Sequence, residues 1–411
     1  MLRASLKKWA FLLIVILFDF LIALRTSLDF FYFFFFFLLV NVAISLAWVA
    51  IEFFLAEVRL VRRLPARVVE NDYLEVEITL TNRGLIPLFN FLLTDYVASA
   101  DISEARKAAL IPYLGRRGAS VKIEYRTRCS RRGKYKIGPF SIYLFDPWGI
   151  FFLRKDYYLY SEVYVYPPVF NIQKFPPLVK GNVPWFGIET ARVSGDEHDF
   201  FGVREYKPGD PIKRIHWLST ARKNSLIVKE FQQRAFFNAT LIFDLDKDKN
   251  FGEGKNSVAE YTIRIAASIA DYLIRLGASL EVIAHAQEII HLPSNKGPDH
   301  LEDIMRALAI AQAESRVNLG DLLSEYANDI PANTTLITIM LDEDWQYLPA
   351  LLAAGKREVS LIPVVLIASS FLRQSVGQRV IKNAQFRFPK GSKFDPIFIS
   401  CGEDLAQAFL R

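Results

Sequence analysis

Hydrophobic and polar residues fall into three regimes along this chain. Trp9 to Leu24 is apolar apart from Asp19, and Phe30 to Ile51 is apolar apart from Asn41 and Ser45. A bilayer needs about 20 apolar residues per helix, so the second segment is long enough to span and the first a little short. No small-x-small cleavage site follows Leu24, and the second segment begins almost at once, so the pair reads as a transmembrane hairpin over 1–64 rather than a signal peptide. The run Phe33 to Phe37 reads as lipid-facing bulk. From about Pro65 the period falls to two. Tyr73 to Leu80 alternates apolar with polar residues until Asn82-Arg83-Gly84, Val121 to Arg128 does the same, and Gly133, Gly138, Pro139, Pro147 and Gly149 punctuate the rest. That pattern predicts a small antiparallel β-sandwich over 65–170. From 237 to 411 strands and helices alternate. Strands are predicted at 239–243, 280–284, 335–340 and 360–367, with helices inside 257–276, at 301–311 and at 405–410, the first closed by Gly277. Such alternation implies a mainly parallel sheet covered on both faces.

Between the last two regimes, over 171–236, lies a Pro-rich stretch followed by the most distinctive segment of the chain. The stretch, with Pro167-Pro168, Pro176-Pro177, Gly181 and Pro184, reads as a linker packed partly on its neighbours. In the segment after it, Pro208-Gly209 reads as a tight turn. Asp210 is then expected to N-cap a short helix that starts at Pro211, runs to about Ala221 and ends near Asn224. Leu226 to Phe231 reads as a strand. The segment thus presents Arg204, Arg214, His216, Trp217, Arg222 and Lys229 on a strand, turn, helix and strand.

This segment resembles the signature of the domain-of-unknown-function 58 (DUF58) family, G-x-R-x-Y-x-x-G-D, then R-x-I-x-W, A-R and L-x-V-K-E-F. Gly202, Arg204, Tyr206, Gly209, Asp210, Arg214, Ile215, Trp217, Ala221, Arg222, Leu226, Val228, Lys229, Glu230 and Phe231 fill every position. Upstream, Arg132 to Pro139 and Asp146 to Phe151 resemble the family's R-G-x-Y-x-x-G-P and D-P-x-G elements. The resemblance implies a C-terminal von Willebrand factor A-like domain and an association with a MoxR-type AAA+ ATPase acting in the assembly or maturation of other complexes.

Charge adds a topology. The formal net charge is +6, and residues 1–67 hold eight basic and four acidic residues, so 8 − 4 = 4 of the excess lies beside the apolar segments. Arg3, Lys7 and Lys8 precede the hairpin and Arg59, Arg62, Arg63 and Arg67 follow it, while Arg25 and Asp29 cancel in the turn. Both termini and everything after Arg67 are therefore expected in the cytoplasm. The charge gives no reason to expect a nucleic-acid partner. Arg116, Arg117, Arg126, Arg128, Arg131 and Arg132 could bind phosphate or lipid headgroups, although alternation on strands puts such arginines on a solvated face anyway. Cys129 and Cys401 are too few and too far apart for a disulfide framework. Asp19, an ionisable group inside an apolar span, points to function or to packing against the second helix.

Candidate chemistry is sparse. Asp244, Asp246 and Asp248 follow the first strand of the α/β region, and Asp342-Glu343-Asp344 follows the third. In the A-type domain that the resemblance implies, a metal-ion-dependent adhesion site uses D-x-S-x-S, a threonine and a later aspartate. Asp244 and Asp342 match its two aspartates, Asp246 and Asp248 replace its serines, and Val317 or Asn318 stands where the threonine belongs. Three aspartates at alternate positions offer oxygens to Mg²⁺ or Ca²⁺, but extra carboxylates damp the capture of a partner's carboxylate, so a degenerate site with no bound cofactor is expected. Lys249 and Lys255 spoil an EF-hand reading. Asp196-Glu197-His198-Asp199 reads as a solvated loop. The favoured function is a membrane-anchored, non-enzymatic binding or scaffold protein, in which the signature residues dock a partner, latch domains, or simply pair and pack. The alternatives are a hydrolase-type enzyme using His216 and Asp210, with His198, as acid–base groups or metal ligands, or an extracellular adhesion receptor. No nucleophile elbow, H-E-x-x-H, Walker loop or G-x-G-x-x-G supports an enzyme, and Gly252-Glu253-Gly254-Lys255 lacks phosphate-loop spacing.

Overall fold

A computed structural model of the protein describes residues 2–26, 29–97, 106–178, 199–208, 210, 212, 215–232, 237–326, 329–331, 334–342, 359–375 and 396–410. The chain divides into two compact units, residues 1–168 with 308–310, and residues 169–307 with 311–411. The first unit opens with two apolar helices, α1 (Leu2–Thr26) and α2 (Asp29–Leu55). Lys8–Thr26 and Asp29–Leu55 are long and apolar enough to cross a membrane. Their large side chains point outward: Phe11 is 69% exposed and Phe33 73%. Asp19 is buried in the hairpin, near where Phe20 of α1 meets Phe35 of α2 with ring centroids 4.9 Å apart.

The β-sandwich follows, built from β1 (Val58–Arg63), β2 (Arg67–Val69), β3 (Tyr73–Asn82), β4 (Leu88–Val97), β5 (Arg106–Leu114), β6 (Ser120–Arg128), β7 (Gly133–Phe145), β8 (Phe152–Tyr157) and β9 (Ser161–Tyr166). One sheet has the order β1-β3-β6. The other has the order β2-β9-β7-β4-β5, with β8 added to β7. Inward residues alternate as the sequence predicts: Leu74, Val76, Ile78 and Leu80 of β3 meet Phe91 and Leu93 of β4 and Phe140, Ile142 and Leu144 of β7 in one core. The sandwich begins at Val58 rather than at 65. Its first strand reads poorly because Arg62 takes an inward position.

Arg62 ties the two sheets together. Its guanidinium donates to Asp95 on β4 through Nη2 (2.5 Å) and Nε (3.2 Å), to the Ile137 carbonyl (3.0 Å) and to Ser161 Oγ (3.1 Å). It also lies 4.0 Å from the Phe140 ring centroid. The Tyr125 hydroxyl of β6 donates to the other side of Asp95 at 2.6 Å. Burial pushes the Asp95 carboxyl up, against the pull of Arg62 and the Tyr125 hydrogen bond. Burial, and then the Asp95 carboxylate, push the Tyr125 hydroxyl up, so it remains a donor.

The second unit begins with residues 169–178, the described part of the linker, which packs on its own unit. The Phe170 amide donates to Ser268 Oγ, and Phe175 stacks against Tyr272 and Phe409. A two-stranded antiparallel sheet follows, β10 (Asp199–Glu205) with β11 (Ile227–Gln232), enclosing the short helix α3 (Trp217–Lys223). The six-stranded sheet comes last, with β12 (Asn238–Asp244), β13 (Ser279–His285), β14 (Ile289–Asn295), β15 (Thr335–Leu341), β16 (Ser360–Leu366) and β17 (Ile397–Ile399) in the order β14-β13-β12-β15-β16-β17. All neighbours are parallel except β14, an antiparallel edge on β13. Helices α4 (Val258–Arg275), α5 (Pro298–Ile310), α6 (Leu319–Tyr326), α7 (Ala368–Ser375) and α8 (Leu405–Ala408) complete the unit. Ser257 caps the start of α4, and Gly277, at φ +81°, closes its end as the sequence implies. Leu319, Leu322 and Leu323 of α6 pack on Ile242, Leu336 and Met340 of the sheet. Strands β12 and β15 are buried on both faces, which explains their unbroken apolar runs.

Candidate functional site

Numbered within the six-stranded sheet, the strand order is 3-2-1-4-5-6, the doubly wound order that reverses between its first and fourth strands. Ligands of open α/β sheets bind beyond the carboxyl ends of the strands at that reversal. Here those ends are Asp244 on β12 and Asp342 just after β15. Beyond β12 the chain stays extended for one more pairing. The Leu245 amide donates to the His285 carbonyl, and Asp246 bridges Ser315, whose hydroxyl is 2.9 Å from His285 Nδ1. A cavity of about 20 Å³ opens there, lined by Asp244, Asp246, Lys249, Asn250 and Thr262 among others. A void of that size holds about one water or one ion, not an organic substrate.

Of the four aspartates, Asp244 and Asp246 line this cavity and Asp248 and Asp342 do not. The Lys249 ammonium lies 3.8 Å from Asp246 Oδ2. Asp248 is exposed, and its amide donates to Asp246. Asp342 is buried, but its Oδ1 accepts the Ala368 amide at the start of α7 (2.8 Å). Asn318 is engaged through both side-chain polar atoms with Asp321, at the head of α6, and neither it nor Val317 lines the cavity. Among the described residues no group of three His, Cys, Asp or Glu side chains could hold a metal ion. Two carboxylates, Asp244 and Asp246, line the cavity, and the charge beside Asp246 belongs to a lysine. Lys249, which in the sequence only spoils an EF-hand, is the cation of this cavity. Its position three residues after Asp246, in the turn that follows the strand, was the available signal. Asp244→Ala is expected to leave the calorimetric response to Mg²⁺ unchanged, and a Mg²⁺ heat abolished by this substitution would contradict the assignment.

The signature segment is a separate construction on β10 and β11. Arg204 pairs across the sheet with Val228, and Glu205 with Ile227. The turn after β10 closes through the Asp210 amide donating to the Lys207 carbonyl. Asp210 does not cap a helix there. Its carboxylate accepts the Arg204 fork, Nη1 at 2.7 Å and Nη2 at 2.8 Å, and the Lys207 amide at 2.8 Å. That bidentate pair, followed by the Lys207 amide, holds the Asp210 carboxyl down at about 2. Deprotonated Asp210 thus contributes to the turn fully above the ordinary carboxylate range near 4, and the contribution is lost as pH falls through about 2. In Arg204→Gln, NMR titration of Asp210 should show its midpoint rising towards the ordinary range. An unchanged midpoint would show that Arg204 does not hold it.

The helix starts later than predicted, at Trp217, with His216 as its cap. His216 Nδ1 accepts the Ser219 amide at 3.3 Å and lies 2.7 Å from Ser219 Oγ. The His216 amide donates to the Ile227 carbonyl, Thr220 Oγ1 accepts the Ile227 amide, and Asn224 ends the helix at φ 54°. The polar groups of α3 therefore fasten it to β11, while its apolar residues face outward. Trp217 is 65% exposed and Leu218 63%. Ile212 and Leu226 are also exposed, and Arg222 and Lys223 flank them in sequence at the helix end. Tyr206 joins β11 through its amide, which donates to the Leu226 carbonyl. Gly202 faces Glu230 across the sheet. Gly209, Arg214, Asp196 to His198, Glu343 and Asp344 lie outside the described residues, as do the side chains of Lys229 and Glu230.

Residues 202–370 match the family described as "Protein of unknown function DUF58". The uncharacterized protein YeaD of Bacillus subtilis (strain 168) is 23% identical over 291 residues, covering 67% of this chain and 69% of YeaD. Among solved structures, the CARDB domain of the PF1109 protein from Pyrococcus furiosus covers 27% of this chain and 94% of its own, at 13% identity and a TM-score of 0.21. The sporulation control protein Spo0M of Bacillus subtilis covers 26% of this chain and 49% of its own, at 16% identity and a TM-score of 0.16. At such scores neither structure informs the fold or the function.

Proposed function

Taking as premise that the chain carries a DUF58 region over residues 202–370, we propose a membrane-anchored, non-enzymatic binding protein whose docking face is the signature helix. One observation carries this reading: Trp217 and Leu218 are largely exposed on a helix whose polar groups are spent on holding it to β11. A solvent-facing tryptophan beside an aliphatic residue and two cations has the composition of a binding hot spot. The six-stranded unit is von Willebrand factor A-like, with a degenerate metal-ion-dependent adhesion site where Lys249 stands by Asp246 in place of a divalent ion. The partner is a MoxR-type AAA+ ATPase, the hairpin spans the cell membrane, and the soluble units face the cytoplasm. An acid–base role for the signature is weakened by its own hydrogen bonds. A carboxyl held near 2 by Arg204 is a weak base at neutral pH, and His216 Nδ1 accepts the Ser219 amide at the helix cap. Pull-down of the full-length protein from detergent extracts, with and without ATP, tests the reading: recovery of the ATPase in a nucleotide-dependent manner supports it. Turnover of a hydrolase substrate that His216→Ala abolishes without unfolding would replace it.

A further inference from the structure

The sandwich has two ends, and the strand registers collect several loops at the end where α2 enters. Val58 faces Asn82 and Ser120 faces Thr81, so the loop after α2, the 83–87 loop and the 115–119 loop meet there. Leu88 faces Leu114 and Phe91 faces Leu144, which adds the 146–151 loop to the same end. Buried Asn82 fastens the 83–87 and 115–119 loops together, donating to the carbonyls of Ile86 and Gly115 and accepting the Gly84 amide.

Two of these loops, 83–87 and 146–151, press on the apolar helices. A Cβ on Gly84 would lie 2.7 Å from the Leu55 carbonyl, so the 83–87 loop meets the last turn of α2 too closely for any other residue. Glu52 of α2 accepts the Phe89 amide, and Lys155 donates to the Ala56 carbonyl just past the helix end. At the start of α1, Lys8 donates to the Gly149 carbonyl and the Trp9 ring meets Phe151 edge-on at 4.2 Å. Asp146, fully buried, accepts the amides of Trp148 and Phe151 and fixes the shape of that loop. Its tip, Trp148, is nevertheless 65% exposed, and Leu85 on the neighbouring loop is 79% exposed. Arg83, Arg116 and Arg117 stand exposed around them, with Glu57 as the exposed acid of the same end.

We propose that this end of the sandwich is a second membrane contact: Trp148 and Leu85 enter the interfacial layer of the bilayer that holds α1 and α2, and Arg83, Arg116 and Arg117 engage anionic headgroups. This rests on the hairpin spanning a membrane. The helix ends then fix these loops at headgroup depth, where tryptophan is favoured and where each basic residue near an anionic surface contributes attraction. Of the six arginines clustered in the sequence between 116 and 132, Arg116 and Arg117 occupy this end, whereas Arg126 pairs with Glu75 on the strands. The sandwich is accordingly held at a set angle to the membrane rather than swinging on α2.

The test uses full-length protein in vesicles of phosphatidylcholine with or without phosphatidylglycerol, their acyl chains brominated near the glycerol. The Trp148 emission is isolated by subtracting that of Trp148→Phe. It is expected to be quenched by the bromines, more strongly with phosphatidylglycerol, and to lose that quenching in the triple variant Arg83→Gln, Arg116→Gln, Arg117→Gln. Quenching of Trp148 by aqueous iodide but not by bromines overturns the proposal, while the remaining emission, which includes Trp9 and Trp48 of the helices, stays bromine-quenched. If that remaining emission also escapes the bromines, the membrane-spanning premise fails and the proposal falls with it.

Discussion

Arg62→Met is expected to destabilise the β-sandwich by about 3–5 kcal/mol, the cost of leaving a buried carboxylate without its cation. Arg62 and Asp95 have side chains 0% and 1% exposed, and the guanidinium also serves the Ile137 carbonyl and Ser161. Methionine fills much of the volume but answers none of those acceptors. The loss should depend on pH in a definite direction. Burial already places the Asp95 carboxyl above its ordinary value, and losing Arg62 places it higher. The folded state then binds a proton that the unfolded state has released, so stability falls as pH rises from the ordinary carboxylate range through the folded value. The variant should therefore be least stable at neutral pH and recover part of the loss in mild acid. The double variant Arg62→Met, Asp95→Leu, which removes both charges, should recover more than either condition alone. Hydrogen exchange of β3 and β4 amides in the full-length protein measures this. A single variant within about 0.5 kcal/mol of wild type would mean that the pair holds nothing together.

The second large effect concerns binding. If the proposed ATPase partner docks on this helix, Trp217→Ala should weaken that complex by about 2 kcal/mol or more, roughly thirty-fold in Kd, with little change in stability. The expectation of small destabilisation follows from exposure: a side chain 65% exposed gives up little buried area when truncated. The helix itself is kept by the His216 cap, the Thr220 bond to β11 and the Asn224 end, none of which involves the indole. Asp210→Asn should act differently, loosening the turn by weakening the Arg204 fork. Equal affinity of wild type and Trp217→Ala would remove the helix from the binding face.

Much of the architecture was legible because burial obeys period. The alternation of Tyr73 to Leu80 is the burial pattern of β3, and the apolar runs at 239–243 and 335–340 are strands buried on both faces. What escaped had weak periodicity. β14 is an exposed edge whose side chains need not alternate, and α6 and α7 are only two turns long. β1 was hidden by Arg62, which is polar by type and buried by partnership. At the signature, the turn and the Asn224 stop were readable from residue type. The start of α3 was not, because Asp210 is a good cap in isolation and is drawn instead to Arg204, a choice that depends on the register of β10. That Asp342 and Asp248 do not line the cavity with Asp244 was likewise invisible, since for Asp342 it turns on which carboxylate faces the α7 amide.

The most direct test of the account places a photo-crosslinking residue at Leu218 in the full-length protein in cells and identifies what it captures. The account predicts a crosslink to a MoxR-type ATPase that depends on nucleotide and is lost when Trp217 is also replaced by alanine. Crosslinks solely to other segments of the same chain would contradict it, since the exposed face of α3 would then be covered from within.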